Sequence, residues 1–248
     1  MAAVSMFAAE RSRLFLTYRV RLEFAGKLMG GVPKDPKIIE GWLRSKAGID
    51  DTEEVRRGML RTLTELGAQV SEGDSFEDLV AASEKLAAER STCGFKRDGT
   101  GLYIEARQLK AAIKESVNIL FAGGRWGTTK KGPKNYTAER LFVRGTDPEH
   151  PERIHLGITE PDGIELVIGH VSGPQGQRST LGYHEYAERR AIEFLIDSTD
   201  AKAGAGSVED SIDPEHWPLI WLHMEANGIG ALRSQGHGQF ATTAFERV

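Results

Sequence analysis

Cys93 is the only cysteine in a chain of 248 residues. No disulfide can therefore close within one copy, and a four-cysteine zinc site is excluded, as suits a reducing compartment. No apolar run approaches the ~18 residues that a membrane-spanning helix needs. Met1-Ala2-Ala3-Val4-Ser5-Met6-Phe7, followed by Glu10 and Arg11, is not a basic-then-apolar export signal. These absences predict a protein of the cytoplasm with no membrane partner. Excess positive charge is absent too: 32 Lys and Arg against 36 Asp and Glu leave a formal −4. A protein that coats nucleic acid by bulk charge is disfavoured. The seven histidines (His150, His155, His170, His184, His216, His223 and His237) are scattered, with no His-x-His or His-Glu-x-x-His pair, so no metal site is predicted. No dinucleotide fingerprint and no P-loop occurs, and no cofactor is predicted.

What is present is the composition of a globular protein, 40% hydrophobic and 27% charged, long enough to bury a sizeable core. Charge is unevenly spread: 50–89 is acid-rich, while 96–134 holds most of the clustered Lys and Arg. Leu14, Leu16, Tyr18, Val20, Leu22 and Phe24 alternate with mostly polar residues, the period of a strand with one apolar face. The other face carries Arg19 and Arg21 side by side. After a loop at 26–34, Asp35-Pro36 has the form of a helix cap with proline in the first turn. Val55, Met59, Leu63 and Leu66 form one helical stripe, and Phe76, Leu79, Val80, Ser83 and Leu86 form another with Ser75 as its cap. Residues 35–90 are thus expected to be helical and to interrupt the sheet that the first strand begins.

Glu105 to Phe121 predicts an amphipathic helix, with Ala106, Leu109, Ile113, Val117 and Leu120 inward and Arg107, Lys110 and Lys114 on another face. Short strands follow at 140–143, 154–158 and 164–171, then a turn at 173–178 and strands at 179–186 and 191–197. A helix opening at Asp213-Pro214 ends at Asn227-Gly228, and 239–248 reads as a last strand. The order of strand, helix, strands, helix, strand predicts an α+β, ferredoxin-like (RRM-like) βαββαβ core. It carries a helical insertion after strand 1 and a β-hairpin insertion in the second half. The expected boundaries are 1–34 and 93–248 for the core and 35–92 for the insertion.

Three features suit an anionic polymer. The basic helix face just named could meet successive phosphates. Arg125, Trp126, Lys130, Lys131, Lys134 and Tyr136 combine cations for phosphate with rings for bases, in a glycine-rich loop. Asn227 to Phe240 packs four glycines with Arg233 and His237, a loop whose amides and guanidinium could hold anionic oxygens. Each also has a plain reading: a solvated helix face, a surface loop with an anchored Trp, a tight connection in which glycines avoid clashes.

Three segments together resemble the RAMP superfamily of CRISPR RNA-binding proteins, and more narrowly the backbone subunits that repeat along guide RNA. They are Leu102 to Lys114, Arg178 to Tyr186 with Ala191 to Ile196, and Gly228 to Gly238. Glu105-Ala106-Arg107 stands where the family usually has Pro-Gly-Ser, and the insertion is large, so the resemblance is to a divergent member, whether cellular or phage-borne. It implies sequence-independent binding of single-stranded RNA, with copies of the chain and other effector-complex subunits as partners. Under it the RNA-binding residues are Arg19, Arg21, Arg107, Lys110, Lys114, Arg125, Trp126, Lys130, Lys131, Tyr136, Arg178, Gly230, Arg233, Gly236, His237 and Gly238. Asp35 stands where slicing members keep an aspartate, although its local form is that of a cap. A metal-independent endoribonuclease using His237 is the alternative, and a phage-associated assembly protein that binds no nucleic acid is a third.

Overall fold

The computed structural model describes residues 10–33, 52–88, 93–121, 137–173, 176–199 and 215–248. In chain order the elements are α1 (Arg11–Leu14), β1 (Phe15–Phe24), β2 (Lys27–Met29), β3 (Val32–Pro33), α2 (Thr52–Glu65), α3 (Phe76–Ala88), β4 (Cys93–Gly94), β5 (Lys96–Arg97) and β6 (Leu102–Glu105). There follow α4 (Ala106–Leu120), β7 (Leu141–Gly145), β8 (Arg153–His155), β9 (Gly163–Gly173), β10 (Gly176–Glu188), β11 (Ala191–Thr199), α5 (Trp217–Asn227) and β12 (Phe240–Arg247). The class is α+β, as expected. The loop expected at 26–34 contains two short strands. The helix expected after Asp35 lies outside the described residues.

The chain divides into two compact units, Met1–Leu28 with Ile104–Gly157 and Arg189–Val248, and Met29–Tyr103 with Ile158–Glu188. The first is built on a four-stranded antiparallel sheet in the order β12–β1–β11–β7. The period of two in β1 is what its burial shows: Val20, Leu22 and Phe24 are buried while Arg19, Arg21 and Glu23 between them are exposed. Ile192, Phe194 and Ile196 of β11 share the buried side. Trp217, Ile220, Trp221 and Met224 of α5 are buried as well, as are Leu109, Ile113 and Val117 of α4. Tyr18 stacks on Phe245 at 4.7 Å, and Trp221 lies 5.7 Å from the same ring. Each such side chain removed from water stabilises the fold by roughly 1.5–3 kcal/mol.

On the other side of this sheet Asp197 is buried among cations. Its carboxylate accepts from Thr17 Oγ1 at 2.7 Å and Arg144 Nε at 2.7 Å, and pairs with Arg11. Burial alone would raise its pKa. The hydrogen bonds from Arg144 and Thr17 and the charges of Arg144 and Arg11 outweigh that and hold it below the ordinary aspartate range. A depressed folded-state pKa stabilises the fold above the unfolded value, about 3.9, and that stability is lost as pH falls below it. Asp197→Asn is therefore expected to cost about 2 kcal/mol at neutral pH. That is less than a fully buried broken pair, because Arg11 reaches solvent. Thermal melts from pH 7 to pH 3 should show the difference from wild type shrinking toward the acid end.

The second unit holds the β9–β10 hairpin, with His184 opposite Glu165 and Tyr186 opposite Gly163. Strand β10 also runs parallel to β4 through His184 and Cys93, and β4 pairs with β3. Buried Glu185 accepts the Phe95 amide at 3.0 Å and a bond from Arg97 at 3.3 Å. These ties join the hairpin to 93–97 and, through β4, to 32–33. Met59, Leu63, Leu66 and Leu79 form the apolar seam between α2 and α3. Ser75 and Asp78 cap α3 reciprocally: Ser75 Oγ accepts the Asp78 amide and Asp78 accepts the Ser75 amide.

Candidate nucleic-acid interface

The candidate surface belongs wholly to the first unit and is built around α4. Its inward stripe, Leu109, Ala112, Ile113, Ser116 and Val117, is buried. At about 100° per residue, Lys110, Lys114, Arg107, Ala111 and Glu115 fan in that order across the opposite side. Arg107, Ala111 and Lys114 are exposed, and Lys110 and Glu115 are half-buried on the two flanks.

On one flank Lys110 reaches toward β7. Its Nζ donates to the Ala138 carbonyl at 2.9 Å and lies 5.3 Å from the centre of the Phe142 ring. Burial, with the charge of Lys114 adding to it, lowers the pKa of this ammonium. On the other flank Glu115 accepts from Arg233 at 2.8 Å and from Asn227 Nδ2 at 3.5 Å. The Arg233 hydrogen bond holds the Glu115 carboxyl below its usual range despite partial burial. Beside it, His223 Nδ1 lies 2.8 Å from the buried Ser116 Oγ. Helix α4 thus receives the terminal glycine loop on one side and β7 on the other. Arg107 is bonded to Glu105 at 2.6 Å. The face carries four cations, Arg107, Lys110, Lys114 and Arg233, against two carboxylates, Glu105 and Glu115, so it stays cationic.

The glycines of the terminal loop fall into two kinds. Gly228 ends α5 at φ 72°, ψ 177°, and its amide donates to Met224. A Cβ there would sit 2.7 Å from the His237 carbonyl oxygen. Gly238 has φ 75°, its amide donates to the Lys27 carbonyl, and its own carbonyl accepts the Ile229 amide. These two let residues 228–229 and 237–238 cross in backbone contact, which is the packing alternative rather than the ligand one. The Gly238 amide is thus occupied within the chain. Gly230 and Gly236 are exposed. The Gly236 amide closes the single 3₁₀ turn on Arg233. The loop leaves Gly230, Ser234, Gln235 and Gly236 exposed and Arg233 and His237 half-buried.

Arg19 and Arg21 are not part of this face. They project from the side of β1 opposite Val20 and Leu22. Arg19 lies 3.6 Å from Glu193, and Arg21 is bonded to Glu23 at 3.1 Å. Glu246 is the register partner of Arg19. Strand alternation forces the separation, because the residues between the arginines are core. Of the other expected site residues, Asp35, Arg125, Trp126, Lys130, Lys131 and Tyr136 lie outside the described residues. Arg178 stands in β10 opposite Val171, and its side chain is not described. Sequence reasoning overlooked Glu115, Asn227 and Phe142. The strand period at 140–143 carried the signal for Phe142, since it sets Leu141 inward and its neighbour outward. Among the described residues no cluster of three or more His, Cys, Asp or Glu is arranged to hold a metal. No helix among them is long and apolar enough to cross a membrane.

No family model matches the chain, and no curated protein matches it. Among solved structures it is similar to a chain in a cryo-EM structure of the Type III-B Cmr-beta bound to cognate target RNA, at 11% sequence identity and a TM-score of 0.46. The likeness covers 97% of this chain and 63% of that one, so this chain spans less than two thirds of its neighbour's length.

Proposed function

We propose that this protein binds the backbone of single-stranded RNA without regard to sequence, as a repeated subunit of a CRISPR-like ribonucleoprotein in the cytoplasm. Its first unit is a ferredoxin-like βαββαβ core of the RAMP type. The order β12–β1–β11–β7, with α4 between β1 and β7 and α5 between β11 and β12, supports that reading. Residues 35–92 are the insertion into this core. The observation that carries the function is the Arg233–Glu115 bond, which brings the terminal loop onto the helix that bears Arg107, Lys110 and Lys114. Phosphates then meet Lys114 and Arg107 at the centre, Lys110 on one flank and Arg233 on the other. A guanidinium has five N–H donors, more than one carboxylate can take.

Filter binding of a labelled single-stranded RNA of mixed sequence tests this. We expect retention that is indifferent to sequence and leaves the RNA intact after incubation with EDTA-treated protein. RNA cut under those conditions would favour the endoribonuclease, with His237 beside the bound phosphate as its general base. Absence of retention would favour an assembly protein.

A further inference from the structure

Four side chains form a row across the first unit's sheet, of which the proposed site includes only Lys110. The Arg11 guanidinium lies 5.3 Å from the centre of the Phe15 ring. Phe15 meets Phe142 edge to face, with centroids 5.8 Å apart and planes at 87°. Lys110 Nζ lies 5.3 Å from the centre of the Phe142 ring. The sequence of groups is cation, ring, ring, cation.

The placement follows from the strands. Phe142 and Thr17 both stand opposite Asp197 in register, so Phe142 projects from the sheet face away from the buried Val20 and Phe194. Among the described residues, strand β7 is the last of its sheet. Leu141, one residue earlier, is fully buried, whereas Phe142 is 44% exposed. An isolated exposed phenylalanine is ordinary. One braced by a second ring, in a pair with a cation at each ring, is a different object. A single-stranded polynucleotide needs a π face for a base and positive charge for the phosphates on either side of it.

The Asp197 cluster fixes one end of the row. Arg11 and Arg144 share that carboxylate, so two cations answer one anion there. The other end is Lys110, already the flank of the α4 face. The row therefore extends the phosphate surface around the edge of the sheet, onto a residue able to contact a base.

We propose that Phe142 is a base-stacking residue, with Phe15 bracing its ring, Lys110 at the phosphate of the stacked nucleotide and Arg11 at a neighbouring one. This rests on the RNA-binding reading above and adds to it a contact with the base itself. Any base offers a π face, so the contact is compatible with indifference to sequence.

The test compares oligouridylate with an abasic oligonucleotide of the same length, on wild type, Phe142→Leu and Phe142→Trp. Phe142→Leu keeps apolar bulk at the position, and its thermal melt should overlay that of wild type. We expect wild type to prefer oligouridylate over the abasic strand. Phe142→Leu should lose about tenfold on oligouridylate and almost nothing on the abasic strand, as removal of one stacked base predicts. Phe142→Trp should restore the preference. Wild-type affinity of Phe142→Leu for oligouridylate overturns the stacking proposal and leaves the phosphate surface standing. Failure of wild type to bind either strand overturns both.

Discussion

Gly238→Ala is expected to lower the stability of the first unit by about 4 kcal/mol, which for a chain of this size is a fall in melting temperature of about 10 °C. Two independent terms add. At φ 75° an L side chain is strained by about 1–2 kcal/mol. The new Cβ would also fall within the carbonyl oxygen of Ile229, a backbone atom that cannot swing aside. Relief would require parting residues 228–229 from 237–238 and releasing the Gly238 amide from Lys27. Gly236→Ala separates the terms. Its φ is 84°, but nothing lies within 4 Å of the position a Cβ would take, so only the strain should appear. Circular-dichroism melts of the two variants check this. Equal shifts would mean that the crossing of the loop is not what Gly238 serves.

That pair of residues also marks what the sequence could and could not disclose. Four glycines within a dozen residues announced unusual backbone, yet both the ligand reading and the packing reading fit them. Only the geometry assigns Gly228 and Gly238 to packing, because whether a glycine faces a neighbouring carbonyl depends on a contact with His237 or Ile229 across the loop. The elements themselves were legible wherever a period was long. Leu16 to Phe24, Val55 to Leu63 and Ala106 to Val117 each repeat often enough to fix an element and its buried face, whereas Leu14, expected on the strand, ends α1 and is exposed. Short pieces such as Lys27–Met29 and Val32–Pro33 carry no period, and only their pairing partners define them. The same limit governed the charges. Alternation along β1 set Arg19 and Arg21 on its polar face, but the carboxylates of Glu23 and Glu193 beside them come from pairing and local contacts that the period does not show. Glu115 went unnoticed because one carboxylate in a basic helix has no pattern of its own. Its meaning comes from Arg233, 118 residues away.

Reversing charge at Lys110, Lys114 and Arg233 together, each to Glu, is expected to weaken RNA binding at least a hundredfold at physiological salt. Each reversal removes one phosphate partner and installs a repelling charge. Salt and solvent reduce the effect of any one of them, since all three side chains are at least partly exposed. Lys110→Glu also loses the contact with Phe142, and Arg233→Glu sets two carboxylates together at Glu115. The variant therefore needs a melt beside its binding curve. A folded variant that binds as wild type does would exclude the α4 face as the interface.

RNA binding at that face requires phosphates to be neutralised there, and the salt dependence of affinity reports neutralised phosphates most directly. For single strands, log K falls against log salt with a slope of about −0.7 for each phosphate engaged. Titrating one RNA at several salt concentrations with wild type and with Lys110→Ala plus Arg233→Ala should give a steep slope for the first. The second should be shallower by about 1.4, the share of two phosphates. Superimposable slopes, at whatever affinity, would contradict it.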